Sequence, residues 1–217
     1  MTMNYLSTVF AGVVVLVCFQ SSLAADTSPA ESGDRVEMKY DPMAREAGTK
    51  PFGGGACAVR IVRAVDARQN KETVGQSMNG ALLADDVGPW MTAGLSQLKD
   101  FGFVVTAAPT ADNSVAIEGV TIRMSVKRVY TWQIGLKIFS MLAVKAEYLD
   151  RNGLLQEKYY RAHGDKTNMW GARDEYVTTL NYGLNNLLPL VARDLQSLCK
   201  GQKVESYSYA GPDGPTQ

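Results

Sequence analysis

The residues best suited by type to acid–base chemistry are His163, the single histidine of the chain, and Asp165 two positions on. An imidazole changes charge near neutral pH, and a neighbouring carboxylate could orient it as a general base. At strand spacing the two would share one face. An exposed turn pair accounts for His163-Gly164-Asp165 more simply. One imidazole cannot supply the His-rich sets of common metal sites, and no G-x-S-x-G, H-E-x-x-H or C-x-x-C is present. Asp85-Asp86 is a second carboxylate pair, but Val87-Gly88-Pro89 follows it. That order reads as a helix start, with a carboxylate capping free amides and Pro in the first turn. Gly53-Gly54-Gly55 lacks the Gly-Lys-Ser/Thr of a phosphate loop and reads as a turn. The sequence therefore assigns no catalytic, cofactor-binding or metal-binding residue, and predicts a protein that is not an enzyme and carries no cofactor.

Binding chemistry has more material. Arg123, Lys127, Arg128, Lys145, Lys158 and Arg161 fall on predicted central strands, with Tyr130, Trp132 and Tyr160 nearby. A basic, aromatic sheet face suits single-stranded nucleic acid or a glycan. The alternative is a solvated outer face balanced by Glu118, Glu147 and Glu157. The stretch Tyr130–Leu136 is apolar for a connector, so Trp132 in an exposed turn would anchor a partner or lipid, or else fold back onto the core. Met169-Trp170-Gly171 poses the same choice. The candidate partner surface is thus Trp132, Tyr130, Arg128 and Tyr160. With 22 basic and 22 acidic residues, the total charge favours neither nucleic acid nor an anionic surface.

Compartment is read from the N-terminus. Residues 1–25 carry no charged side chain, Leu6–Phe19 is an apolar run, and small residues precede cleavage after Ala24 or Ala25. This is a signal peptide by pattern, although Met1–Tyr5 lacks the usual basic residue. An uncleaved anchor is the alternative, but spanning needs about 20 apolar residues. Cys18 follows Val15-Leu16-Val17, where lipidation wants a small residue, so outer-membrane lipid anchoring is not expected. Export places the domain in the oxidising periplasm, where Cys57 and Cys199 are predicted to pair as a disulfide rather than stay as two buried thiols. Export also sets nucleic acid aside and leaves peripheral membrane association open.

The positioning elements follow from periodicity. Residues 26–55 show no period and read as a flexible leader, residues 56–200 as a single α+β domain, and residues 201–217 as a disordered tail. Within the domain, Ala56–Asp66 alternates as a strand, and Ala67–Leu83 reads as a loop or poorly formed hairpin. Val87, Trp90, Met91, Leu95 and Leu98 define one helix face before Gly102, and Phe103–Ala107 is a short strand. After the turn Ala111–Ser114 come the long alternating strands from Val115 and from Leu136, joined through Arg151-Asn152-Gly153 to a strand Leu154–Ala162. Glu175–Cys199 is a Leu-rich helix containing Pro189. The predicted fold is a mainly antiparallel four- to five-stranded sheet with two helices packed on one face.

This order resembles the YajG-like family of bacterial envelope lipoproteins over about residues 57–200. The likeness is carried by Asp100-Phe101-Gly102-Phe103-Val104, Asp150-Arg151-Asn152-Gly153, Lys158-Tyr159-Tyr160-Arg161-Ala162 and the terminal Leu-rich helix. A related layout occurs in auxiliary lipoproteins of envelope transport systems. The resemblance implies a periplasmic-facing accessory protein; together with export and the absent catalytic groups, it gives the reading of an exported, non-catalytic accessory protein that docks on an envelope protein complex through its sheet face or the Trp132 turn. The alternative is a periplasmic small-ligand or lipid-binding protein with a pocket between sheet and helices.

Overall fold

Alternation of buried and half-exposed residues from Val120 onward, interrupted once at Lys127, forces long strands, because a period of two leaves one dry face and one wet one. A computed structural model describes residues 33–44, 57–108, 119–168, 172–212 and 214–215 of the chain. The predicted signal peptide, Cys18, Gly53–Gly55, the predicted turn 111–114 and Met169–Gly171 lie outside the described residues.

In chain order the first elements are β1 (Gly33–Arg35), β2 (Ala58–Val62), β3 (Val65–Asp66), β4 (Thr73–Ser77), β5 (Gly80–Leu83) and α1 (Gly88–Leu95). A 3-10 turn, Ser96–Phe101, leads into β6 (Val104–Ala108). Then follow β7 (Val120–Ile134), β8 (Lys137–Asp150), β9 (Gly153–Thr167), α2 (Asp174–Cys199), β10 (Tyr207–Gly211) and β11 (Gly214–Pro215).

The strands β7, β8 and β9 form an antiparallel meander, and everything else is built against it. The remaining strands correct the predicted fold class. Among the described residues the sheet is mixed and eleven-stranded rather than mainly antiparallel with four or five strands. Parallel pairs join β1 to β5, β2 to β6, β2, β3 and β4 to β7, and β10 to β9. The predicted layer of two helices on one face does not form either: α2 packs on β7, β8 and β9, while α1 meets β2 and α2. The sequence reading placed strands at Ala56–Asp66 and Phe103–Ala107, where β2, β3 and β6 lie, and left β4 and β5, an antiparallel hairpin, as a loop or poorly formed hairpin. It missed β1 and β10, which are short and pair with partners distant in the chain. Two corrections to the domain limits follow. β1 lies within the presumed leader, and β10 lies within the presumed tail.

Local chemistry explains the helices. Asp86 Oδ1 accepts the Gly88 N–H at 2.8 Å, Pro89 sits in the first turn, and Gly102 closes the following 3-10 turn in the left-handed conformation with φ 84°. Val87, Trp90, Met91, Leu95 and Leu98 are all buried, as their spacing requires. Helix α2 is buried on nearly all sides, and Pro189 lies within its continuous span. Its approach to the sheet is set by Gly164 of β9, where an added Cβ would stand 2.6 Å from the Gly183 nitrogen.

Three asparagines of α2 tie down the flanking chain. Asn181 accepts the Trp90 Nε1–H at 2.8 Å and donates to the Lys39 carbonyl, while Asn185 donates to the carbonyls of Asp41 and Ala44. Asn186 donates to the carbonyls of His163 and Pro212. These bonds satisfy both buried side-chain amides and backbone that would otherwise be orphaned. Cys57 and Cys199 form a disulfide with Cα atoms 6.0 Å apart, joining the entry to β2 to the end of α2.

Candidate functional site

A β-bulge decides which side chains face solvent. From Val120 to Val126 the even-numbered residues of β7 point toward α2 and are buried. The register with β8 then shifts between Val126 and Arg128, leaving Lys127 as the extra residue. An extra residue inverts the alternation downstream. Val129 and Thr131 become the buried residues, and Arg128, Tyr130 and Trp132 turn to the face away from α2. Without the bulge these three would point into the core.

On that outward face the ladder sets side chains in rows across β7, β8, β9 and β10. One row is Ser125, Lys145, Tyr159 and Tyr207; the next is Arg128, Ala143, Arg161 and Tyr209; then come Tyr130, Met141 and His163, and Trp132, Phe139 and Asp165. Tyr159, Tyr207 and Tyr209 are 50%, 50% and 42% exposed. The Tyr130 and Trp132 rings stack at 6.0 Å between centroids, Trp132 stacks on Phe139 at 5.7 Å, and the Arg128 guanidinium lies over the Tyr130 ring at 5.7 Å. Trp132 is therefore neither in an exposed turn nor in the core. It is half-buried in β7, and the turn proper is Gly135-Leu136.

Acidic partners neutralise part of the face. Lys145 pairs with Glu157 at 2.6 Å and Glu147 at 3.1 Å, and these bonds hold its amine charged well above the ordinary lysine range. Lys137 pairs with Asp165 at 2.6 Å. Asp165 does share the outward face with His163, but it is engaged with Lys137 rather than with the imidazole. His163 Nε2 accepts the Arg161 Nε–H at 3.0 Å, and its ring meets Tyr209 edge-on at 5.5 Å. Burial, then the Arg161 charge, lowers the His163 pKa below its usual value and favours the neutral ring.

Tyr160 corrects the predicted partner surface. It is 1% exposed and faces α2, as does Lys158. The Lys158 ammonium pairs with Asp194 at 2.7 Å, the Tyr160 hydroxyl donates to the same carboxylate at 2.5 Å, and Tyr148 hydrogen-bonds to Tyr160. Burial pushes both phenols above their ordinary range, and for Tyr160 the charges beside it add to this. The lysine made this face look wet, yet its charge is matched by a carboxylate from α2 that no local pattern announces. The outward neighbour Tyr159, with Tyr207 and Tyr209 from the presumed tail, is what sequence reasoning missed. Alternation on β9 placed Tyr159 opposite Tyr160, and that signal was available.

Among the described residues no helix is long and apolar enough to cross a membrane, and no three His, Cys, Asp or Glu side chains gather as a metal-ligand set. No family model and no curated protein matches the chain. Several solved structures are similar to it. A Xanthomonas campestris protein of family DUF330 is 8% identical, with a TM-score of 0.49 over 77% of this chain and 96% of its own. A lipoprotein from Neisseria meningitidis is 16% identical, with a TM-score of 0.35 over 64% of this chain and 97% of its own. A minor lipoprotein from Acinetobacter baumannii is 9% identical, with a TM-score of 0.38 over 67% and 95%.

Proposed function

We propose that this protein is an exported, non-catalytic accessory protein of the bacterial cell envelope, which acts by docking its outward sheet face on an envelope complex. The observation that carries the reading is the ladder Tyr130, Trp132 and Phe139, continued by exposed Tyr159, Tyr207 and Tyr209, on the face that α2 leaves uncovered. Large rings presented with polar tips are what interfaces use as anchors. The uncharged, apolar first 25 residues, the Cys57–Cys199 disulfide and the resemblance to YajG-like envelope proteins support the compartment. The engagement of His163 by Arg161 and of Asp165 by Lys137 supports a role without acid–base catalysis. A ligand pocket between sheet and helix is the weaker reading, because Leu142, Val144, Tyr148, Tyr160, Leu180 and Leu184 fill that space at no more than 1% exposure.

The test is cross-linking of the tagged mature protein in its native envelope, followed by mass spectrometry of the attached proteins. One complex should be enriched, and Trp132→Ala should remove it. Recovery of the uncross-linked monomer alone would overturn the reading.

A further inference from the structure

We infer that Arg128 and Arg161, flanking Ala143 on the outward face, form a subsite for the carboxylates of an acidic glycan, with the surrounding tyrosines as stacking platforms for its sugar rings. The inference rests on the docking role proposed for this face and names its chemistry. Three observations lead to it.

Charge comes first. Lys145 and Lys137, on β8 and at its start, are matched by carboxylates. Among the described residues neither Arg128 nor Arg161 has an ion pair. Their recorded partners are neutral: the Tyr130 ring for Arg128 and the His163 imidazole for Arg161. Both guanidinium groups are on exposed residues. They keep free N–H donors, in a planar fork that matches a carboxylate.

Spacing comes second. Arg128 and Arg161 are both in register with Ala143, one from each neighbouring strand. Two strand spacings separate them by about 10 Å. Between them stands only a methyl group, so the row has a floor where every adjacent row has a bulky side chain, Lys145 on one side and Met141 on the other. The Lys127 bulge gives Arg128 this place.

The rings come third. Tyr209 ends the arginine row on β10, Tyr159 borders it on β9, and Tyr130 borders it on β7. Ring faces pack on the C–H faces of a sugar, while hydroxyl tips bond to its polar edge. Two arginines in register, with the exposed bulge residue Lys127 beside them and half-exposed rings around them, differ from the clusters of four to eight basic residues that hold a protein on anionic lipid. An acidic saccharide suits the row better than a bilayer surface does.

The experiment titrates the mature, oxidised protein with a purified oligogalacturonate by calorimetry, beside a neutral malto-oligosaccharide. Sedimentation with phosphatidylethanolamine–phosphatidylglycerol vesicles runs in parallel. The oligogalacturonate should bind and the neutral sugar should not. Arg128→Gln and Arg161→Gln should each weaken binding roughly tenfold or more, and Ala143→Glu should remove it. All three positions face solvent, and an unchanged melting temperature checks that each variant is folded. Absence of oligogalacturonate binding, or binding unchanged in the double Arg128→Gln, Arg161→Gln variant, overturns the inference. Vesicle binding lost in those variants without glycan binding reassigns the pair to a phosphate headgroup and also overturns it. If the envelope cross-link through Trp132 survives while the glycan does not bind, only this inference falls. If the cross-link fails as well, the docking role falls with it.

Discussion

Replacing Asp194 with Ala should be among the most damaging single substitutions in the domain. The carboxylate receives the Lys158 ammonium at 2.7 Å and the Tyr160 hydroxyl at 2.5 Å, and the Lys158 side chain is 2% exposed. Truncation leaves that ammonium buried beside a phenol ring with no counter-charge. Breaking a buried pair from one side costs about 3–5 kcal/mol. Domains of ordinary stability hold about 5–15 kcal/mol in total, so this is a large fraction. At roughly 2–4 °C per kcal/mol for a chain of this size, the melting temperature should fall by about 6–20 °C. Urea unfolding of the oxidised protein, followed by circular dichroism, measures the loss directly. Removing both charges with Lys158→Met and Asp194→Leu should recover most of it, since two apolar side chains need no pairing. A single variant within about 1 kcal/mol of wild type would refute the reasoning. So would a double variant no more stable than the single.

Three further outcomes follow from the same packing. Reduction of Cys57–Cys199, which closes a sequence separation of 142, should lower unfolding stability by up to about 5 kcal/mol, measured as the shift in urea midpoint with and without reductant. Gly164→Val should destabilise by about 1–3 kcal/mol or more, because its Cβ would meet the Gly183 backbone; calorimetric melting checks it, and an unchanged melting temperature would contradict the close approach. Alkali should unfold the protein through its buried phenols. Unfolded tyrosines release protons near pH 10.0, whereas Tyr148 and Tyr160 hold theirs to higher pH, so stability is intact below that value and falls as pH rises above it. Melting temperatures across this range should fall less steeply for Tyr148→Phe.

The parts of the fold legible in the sequence are those whose partners are close in the chain. The β7–β8–β9 meander and the Leu-rich face of α2 follow from periodicity sustained over most of each element, and both hold in the structure. Short parallel strands do not announce themselves this way. Gly33–Arg35 pairs with β5 and Tyr207–Gly211 with β9, across long stretches of chain, and neither alternates for long enough to signal a strand. The outward face was legible in its residue types but not in its sides. Arg128, Tyr130 and Trp132 face solvent only because one inserted residue, Lys127, inverts the alternation. Tyr160 faces the interior because Asp194 neutralises Lys158 from a different element.

The disulfide also determines how the molecule would respond to tension. With Cys57 bonded to Cys199, a pull on the two termini passes through the sulfur atoms and bypasses the 142-residue separation between them. At about 3.5 Å per residue, roughly 500 Å of chain is shielded from the load while the bond is oxidised. Only the flanking segments can peel: β1 with the strap held by Asn181 and Asn185 at one end, and β10 with β11 at the other. A tether attached at either terminus would draw out those flanking segments and then stop, with the outward face of β7, β8 and β9 still assembled.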